Sequence, residues 1–215
     1  MPVPLPPLPP APGDGDEYRP GGRSMVDLLA EEHEQITRLF EELTDPALPT
    51  KRRTDVADVL TATVSRHLSA EEQYLYPTMR ASMPGGDPLA DREIAADTAV
   101  LRSLRDLAGI STEDPRFAPL AAEIADQLRR HADAAQAEIF PLLREVASDA
   151  ELIRLGNRVE IAEEAAPTRP HPGHAAGPPW NRIVEPALGV VDKVRDVVSG
   201  RRTYIEDLRK PPQTP

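Results

Sequence analysis

Two segments built around a histidine carry the residues of this chain that could do chemistry. In the first, residues 66–77, His67 stands four positions before Glu71. On a helix this spacing puts both side chains on one face, one turn apart, so an imidazole nitrogen and a carboxylate oxygen can bind the same metal ion or two adjacent ions. A buried glutamate is otherwise uncommon, because desolvating a carboxylate is costly unless positive charge lies beside it.

The second segment, residues 131–141, repeats the first. A proline follows His131 by ten positions, as Pro77 follows His67, and an aromatic residue precedes each proline. Where the first copy has Glu71, the second has Ala135. Proline lacks the N–H that a helix needs, so we expect each helix to end or bend there.

The composition excludes several classes of function. The net charge of −11 argues against a nucleic-acid partner. The absence of cysteine excludes disulfides, iron–sulfur clusters and thiol chemistry. The chain has no apolar run of about 18 residues, so we expect no transmembrane segment. It also has no signal-peptide pattern, and we expect a cytoplasmic protein.

The distribution of 25 prolines divides the chain into three parts. Residues 1–23 are predicted to be a disordered proline-rich arm, whose PLPPLPP run could contact a partner protein or only solubilise the chain. Residues 24–165 are predicted to form the folded domain. Residues 166–215 are read as a Pro/Gly linker, a short amphipathic helix and a tail.

Residues 24–165 have helical periodicity throughout. Apolar stripes and capping residues predict four long helices joined by short loops, and a shorter fifth helix that begins at the capping box Ser148–Glu151. The resulting prediction is an all-α fold, an antiparallel up-down-up-down four-helix bundle with a short fifth helix and largely irregular tails. The third helix is predicted to turn one stripe inward, formed by Ile94, Thr98, Leu101 and Leu104 or Leu107.

Three histidines lie within these inward stripes. His33, His67 and His131 take positions on three different helices that would otherwise be aliphatic. A single buried histidine is usually a hydrogen-bonded core residue, whereas three beside Glu71 also fit a metal site. From the residues alone, a metal site and a polar core network both remain open.

At these positions the chain resembles the hemerythrin family, specifically the bacterial HHE cation-binding domain. The matching pieces are residues 29–34 (LAEEHE), His67-x3-Glu71 with Tyr76-Pro77, and His131 with Phe140-Pro141. The resemblance extends from about residue 24 to residue 165, and the tail after residue 166 is similar to that of actinobacterial members. It implies a helical bundle that holds two non-haem irons and binds oxygen, handles peroxide or nitric oxide, or senses redox state.

The chain departs from the family pattern at two positions. Thr98 stands where the third helix of the family has a histidine, and Ala135 stands where the fourth helix has a carboxylate. Neither side chain replaces an imidazole or a carboxylate as a metal ligand. The nearby carboxylates Asp97 and Glu138 are predicted to be solvated. The metal ligands that remain are His33, His67, Glu71 and His131.

The predicted function follows from this incomplete set. We expect a hemerythrin-like protein that binds one iron ion rather than two, with zinc or manganese as other candidates, and a small diatomic molecule or peroxide as its ligand. The alternative is a metal-poor relative that uses the bundle and its tails to contact an unknown protein. No nucleophile–base pair is visible, so we do not expect an enzyme.

Two features of the C-terminal part complete the sequence-based prediction. Residues 183–198 carry an apolar stripe, which we expect to dock on the bundle, although a partner or a membrane surface would also fit it. His171 and His174 are interpreted as loop residues. The residues of the stripe are Ala187, Val191, Val194 and Val198.

Overall fold

The structure, a computed structural model, describes residues 20–171 and 181–209, with the backbone alone for residues 181–188. The regular secondary structure of these ranges is entirely helical, as the sequence predicted. A 3₁₀ turn, Ile205–Arg209, follows the last helix. The helices are α1 Met25–Thr44, α2 Thr50–Ala70, α3 Tyr76–Ser82, α4 Gly86–Ala108, α5 Phe117–Ala134, α6 Phe140–Val146, α7 Asp149–Ala165 and α8 Asn181–Ser199.

Both histidine segments continue through their prolines instead of ending there. One π-helical turn, Glu71–Leu75, joins α2 to α3, and another, Ala135–Ile139, joins α5 to α6. In each turn the wider bonding pattern brings the N–H of the residue before proline to a carbonyl five positions back. A π turn of this kind accommodates the missing N–H without breaking the helix. Of the two outcomes expected at the prolines, an end or a bend, the helix end does not occur in either copy.

Two apolar clusters show how the four long helices run. In the first cluster the start of α1, at Leu29, packs with Met79 of α3, Ala90 near the start of α4 and Phe140 of α6. In the second cluster the end of α1 packs with the first part of α2, the end of α4 and the first part of α5. Successive helices thus alternate in direction, which confirms the predicted antiparallel bundle.

Helix α4 presents a different face to the core from the predicted one. The side chains of Glu93 and Asp97 are buried, whereas Ile94 and Thr98 are only half-buried. The predicted stripe was therefore one residue out of register in the first half of the helix. The buried stripe has three- and four-residue spacing and consists of Ala90, Glu93, Asp97, Val100, Leu104 and Leu107.

Helix α7 is the predicted fifth helix and covers α1 and α2. It begins at the predicted capping box, where the Ser148 hydroxyl accepts from the Glu151 N–H and the Glu151 carboxylate accepts from the Ser148 N–H. Gly156 lets α7 approach the chain that leads into α1: a Cβ at this position would lie 2.1 Å from the Arg23 carbonyl oxygen.

The segments that flank α8 pack on the bundle. Thr168 is fully buried, the Arg201 guanidinium donates to the Asp58 carboxylate, and Arg66 donates to the Thr203 carbonyl. His171 contacts the Asp192 carboxylate at 3.0 Å. His174 and residues 1–19 lie outside the described residues. Among the described helices, none is long and apolar enough to cross a membrane.

Helix α8 docks on α7 with the face opposite to the predicted one. Asp192 and Asp196 are buried, while Val191 and Val194 are 55% and 58% exposed and Val198 is 84% exposed. The acidic face is inward because Thr168, Arg169 and Arg201 supply its hydrogen bonds and countercharge. The predicted apolar docking stripe was therefore wrong for the valines whose side chains are described.

We expect Gly156→Ala to destabilise the protein by about 1–3 kcal/mol, the usual range for overpacking at a close contact. The added methyl group would push α7 away from the Arg23 carbonyl. Chemical denaturation measures the change. Gly21→Ala, whose methyl group would meet nothing within 4 Å, is the control. Equal stability of the two variants would contradict the close approach.

Candidate metal centre

A polar layer lies between the two apolar clusters and contains all four candidate ligands. His33 comes from α1, His67 from α2, Glu71 from the first π turn and His131 from α5. One ligand atom from each residue lies within 4.8 Å of all the others. All four side chains are buried, and Glu71 is 0% exposed. The helices therefore bring together in one interior site the four residues that the sequence singled out.

The three imidazoles face one carboxylate with their Nε2 atoms. The Glu71 carboxylate oxygens lie 3.1 Å from His131 Nε2, 3.5 Å from His67 Nε2 and 3.8 Å from His33 Nε2. The His33 ring lies edge-on to the other two, with centroid separations of 4.7 Å and 5.1 Å. Three nitrogens and one carboxylate oxygen thus converge on a common point.

Several polar atoms of this layer are buried without a hydrogen-bond partner among the residues that the structure describes. They include the Nε2 atoms of all three histidines and Oε1 of Glu71. Such atoms are rare, because an unsatisfied buried donor or acceptor costs about 1–3 kcal/mol. A cation bound among them would satisfy all four, so the residues fit a metal ion.

Behind His67 lies a further carboxylate that the sequence analysis missed. Its Nδ1 is 2.8 Å from Glu32 Oε2, which leaves Nε2 directed to the centre. A carboxylate behind an imidazole fixes the orientation of the ring and raises its basicity, as in many metal sites. Glu32 directly precedes His33 in the chain, and its helical position alone did not reveal this contact.

Behind His131 lie two carboxylates of α4. Its Nδ1 is 3.4 Å from Asp97 Oδ1 and 3.6 Å from Glu93 Oε2. The prediction that Asp97 is solvated was wrong: this residue is buried, with 6% exposure. Thr98, which was expected to face the site, instead donates its hydroxyl proton to the Ile94 carbonyl of the preceding turn.

Three further residues, Glu138, Ala135 and Tyr76, complete the description of the site. Glu138, predicted to be solvated, is half-exposed and pairs with Arg92 on the surface. Ala135 is fully buried and offers only a methyl group. Tyr76, which the first π turn directs inward, places its hydroxyl against Asp97 Oδ2 and 3.2 Å from Glu71 Oε2. Tyr76 therefore links the central carboxylate to the one behind His131.

Burial and mutual attraction determine the charges of the central groups. Burial alone would raise the pKa of Glu71, but the imidazoles of His131 and His67 outweigh it and hold that pKa below its usual value. Burial would lower the pKa of His131, but Glu71 and Asp97 raise it well above the ordinary value. Without metal, the centre therefore contains an imidazolium–carboxylate pair.

The pKa values of Asp97 and His33 shift in directions opposite to those of Glu71 and His131. Burial raises the pKa of Asp97 to about 7, with a further contribution from Glu71. Burial, aided by His67, lowers the pKa of His33 well below its ordinary value. His33 is thus a neutral imidazole at neutral pH, which is the form that binds a metal.

The donor set defines which ions suit the centre. Three imidazole nitrogens and one carboxylate oxygen are ligands for iron, zinc or manganese rather than for calcium or magnesium, which prefer oxygen alone. Glu32, Glu93 and Asp97 contact the outward Nδ1 atoms of His67 and His131. Their expected role is therefore to orient these imidazoles and not to bind the same ion themselves.

Comparisons with known proteins concern the family and the fold of the chain. Residues 24–143 match the family described as the hemerythrin HHE cation binding domain. An uncharacterized hemerythrin-like protein of Schizosaccharomyces pombe is 23% identical over 136 residues, which are 63% of this chain and 67% of that protein. A crystal structure of a hemerythrin HHE cation binding domain-containing protein from Mycobacterium kansasii superposes with a TM-score of 0.57 at 23% identity. That alignment covers 66% of this chain and 85% of the other.

The charge pair predicts a pH dependence of the metal-free protein. Because the pKa of His131 is raised above the ordinary 6.5, its contribution to stability is complete below pH 6.5 and is lost as pH rises through the raised pKa. Glu71→Gln should therefore cost about 3–5 kcal/mol near pH 6, since it breaks a buried pair, and less at alkaline pH. Denaturation across pH measures the cost, and NMR of the His131 ring measures its pKa.

The exposed carboxylate Glu138 supplies the control for this experiment. Glu138→Gln should leave both the stability and the pKa of His131 unchanged, because Glu138 pairs with Arg92 on the surface. A His131 pKa that does not fall in Glu71→Gln would contradict the assigned cause, because Asp97 alone would then account for the raised value.

Proposed function

The chain belongs to the hemerythrin HHE cation-binding domain family, and from that premise we propose that it binds one iron ion through His33, His67, Glu71 and His131. Zinc and manganese are the other ions that the donor set would accept. We further propose that the role of the centre is to bind or sense a small ligand, such as oxygen, peroxide or nitric oxide, rather than to turn over an organic substrate.

One observation carries this proposal. Three Nε2 atoms and one carboxylate oxygen converge in the bundle interior. All four are buried and, apart from the 3.1 Å contact of His131 Nε2 with the other oxygen of Glu71, they have no hydrogen-bond partner among the described residues. A polar network that had evolved only to hold the bundle together would be expected to satisfy these atoms. A cation satisfies them at once.

The surrounding residues support a single ion. Glu32 and Asp97 contact the Nδ1 atoms of His67 and His131, so each holds its ring with Nε2 directed inward. Ala135 adds no donor where a second carboxylate would be needed. A bound iron ion would supply a Lewis-acidic, redox-active centre with coordination positions open to a small molecule.

A cavity beside His33 supports a small neutral ligand. It has a volume of about 140 Å³ and lies between α1 and α5. Next to His33 its wall is formed by Ile36, Phe40 and Leu128, while Arg129 and Glu41 contribute polar groups. A cavity of this size, with apolar side chains next to His33, has room for a diatomic molecule or peroxide.

A second candidate function is favoured by the contact between Glu71 and His131. Their 3.1 Å separation is that of an ion pair, which can neutralise the centre without metal. In that case the bundle would serve as a scaffold for contacts with another protein. Metal binding distinguishes the two candidate functions, because iron would not stabilise a bundle that acts only as a scaffold.

We expect Fe(II) to raise the unfolding temperature of the chelator-treated protein. An ion that binds only the folded state stabilises it by RT ln(1 + [L]/Kd), which is about 2.7 kcal/mol at an ion concentration 100-fold above Kd. Glu71→Ala should abolish this increase, because the imidazoles alone leave the cation poorly neutralised. Calorimetry and metal analysis provide the two readouts.

A variant without the polar layer separates the scaffold from the metal protein. In it, Glu71 and the three histidines are replaced together by leucine or methionine, so no polar partner is left alone. If Fe(II) leaves the unfolding temperature of the wild-type protein unchanged, and the wild-type protein is less stable than this variant, the bundle is a scaffold. The increase with Fe(II) in wild-type protein alone would identify the metal centre.

The orientation of α4 predicts which position can add a ligand. We expect Asp97→His combined with Ala135→Glu to increase iron content above one per chain, because both new donors would face the centre. The matched variant, Thr98→His with the same Ala135→Glu change, should not do so, since Thr98 faces the preceding turn. Metal analysis, with circular dichroism to verify folding, compares the two. Greater iron content in the Thr98 variant would show that the orientation is wrong.

A further inference from the structure

Helix α8 turns an aliphatic face away from the bundle. The five valines of this face whose side chains are described are each more than half exposed, and two of them are more than four-fifths exposed. We propose that two copies of the chain associate through this valine face, helix against helix. The valine face consists of Val190, Val191, Val194, Val197 and Val198.

The spacing of the valines indicates that the partner is a helix. Val191, Val194 and Val198 are three and four residues apart, which is the repeat through which two helices pack side by side. The repeat extends backwards in the sequence, because Val184 lies seven positions before Val191 and Ala187 lies seven before Val194. The apolar pattern of α8 is therefore that of a helix that packs against another helix along much of its length.

Contacts on the opposite side of α8 hold the valine face outward. Gly189 approaches α7 so closely that a Cβ would lie 2.1 Å from the last carbonyl oxygen of that helix. The Asp192 carboxylate accepts from the Arg169 N–H, and Asp196 accepts from the guanidinium groups of Arg169 and Arg201. Rotation of α8 about its axis would break all of these contacts, so the valines do not turn inward onto their own bundle.

A second copy fits the valine face because the face is complementary to itself. In a symmetric dimer the same patch lies on both partners, so like charges within it would meet across the two-fold axis. The residues 190–198 place no charge in the face: Asp192 and Asp196 are buried on the other side, and Lys193 and Arg195 flank the valines. Aliphatic side chains of one copy can therefore pack on those of the other.

The size of the face predicts a weak dimer. Helix α8 has 19 residues and is about 28 Å long, so a face about 10 Å wide covers on the order of 300 Å². Exposed apolar patches of about this size are often functional. A standard interface buries about 800 Å² per partner, so we expect association through this face to be weak and reversible.

The charge of the chain gives this dimer a characteristic salt dependence. Each copy has a net charge of −11, so two copies repel each other, and salt screens that repulsion. Because the proposed contacts are apolar, added salt should strengthen the dimer. Contacts made by ion pairs would instead weaken as salt is added.

Sedimentation velocity of the full chain, measured up to the millimolar range, tests the proposal. Metal-free protein suffices, because the inference does not depend on the proposed metal centre. We expect a monomer–dimer equilibrium that NaCl shifts toward the dimer. Methyl NMR should show concentration-dependent shifts for Val191 and Val194, and none for Val159, which is fully buried in α7.

Two variants of the face and one control locate the contact. Val194→Lys and Val198→Lys should each raise the dissociation constant about tenfold, because a charge would be buried among aliphatic side chains. Each change also makes the chain less negative, so added repulsion between copies does not explain a loss. Val146→Lys makes the same exchange at an exposed valine of α6 and should leave the dimer unchanged. Circular dichroism verifies that the variants fold.

Four outcomes would overturn the proposal. The first is a wild-type protein that stays monomeric at the highest concentration; if vesicles of phosphatidylcholine and phosphatidylglycerol then broaden its valine signals, the face binds a membrane surface. The second is a dimer that tolerates both Val194→Lys and Val198→Lys. The third is a dimer that Val146→Lys weakens equally, and the fourth is a dimer that dissociates as salt is added.

Discussion

The fold depends on the burial of the Glu71 carboxylate. This side chain is completely inaccessible to solvent, and a carboxylate in such a place requires positive charge or strong donors around it. The imidazoles of three helices, α1, α2 and α5, meet that requirement, with the Tyr76 hydroxyl as a donor from the helix that follows. The relative positions of the helices are thus fixed by one charged group as well as by apolar packing.

The polar layer also explains why the core is divided. One apolar cluster packs the ends of the helices where α1 begins, and the other packs the ends where α1 finishes. Between them, the π turn after α2 carries Glu71 at its start and directs Tyr76 inward at its end. The turn forms where Pro77 removes an N–H, so a residue that would usually interrupt a helix helps to shape the site.

The sequence predicted the four central residues because their spacing carried the information. His67 and Glu71 lie one turn apart, and His33 and His131 stand within apolar stripes, so their helical faces followed from periodicity alone. The bundle and its fifth helix followed in the same way. These features depend on local pattern, which a single sequence contains.

The missed features depend on partners that are distant in sequence. Glu93 and Asp97 looked like solvated acids, and the stripe of α4 was therefore assigned to Ile94 and Thr98. Extending the spacing of Val100 and Leu104 backwards would have reached both acids, but the reason for their burial is His131 on another helix. Likewise, Asp192 faces inward on α8 because Arg169 and His171 lie beneath it.

The three imidazoles of the proposed centre are not equivalent, and the difference assigns them separate tasks. His67 and His131 each have carboxylates behind Nδ1 that hold their rings. Burial would lower the pKa of both imidazoles, but Glu71, followed by these carboxylates, raises it. Neither nitrogen of His33 has a hydrogen-bond partner in the described part of the chain, and burial lowers its pKa. It is thus the imidazole that could bind a metal ion without first losing a proton. His33 also borders the cavity between α1 and α5, so a small ligand in that cavity would lie beside this neutral imidazole.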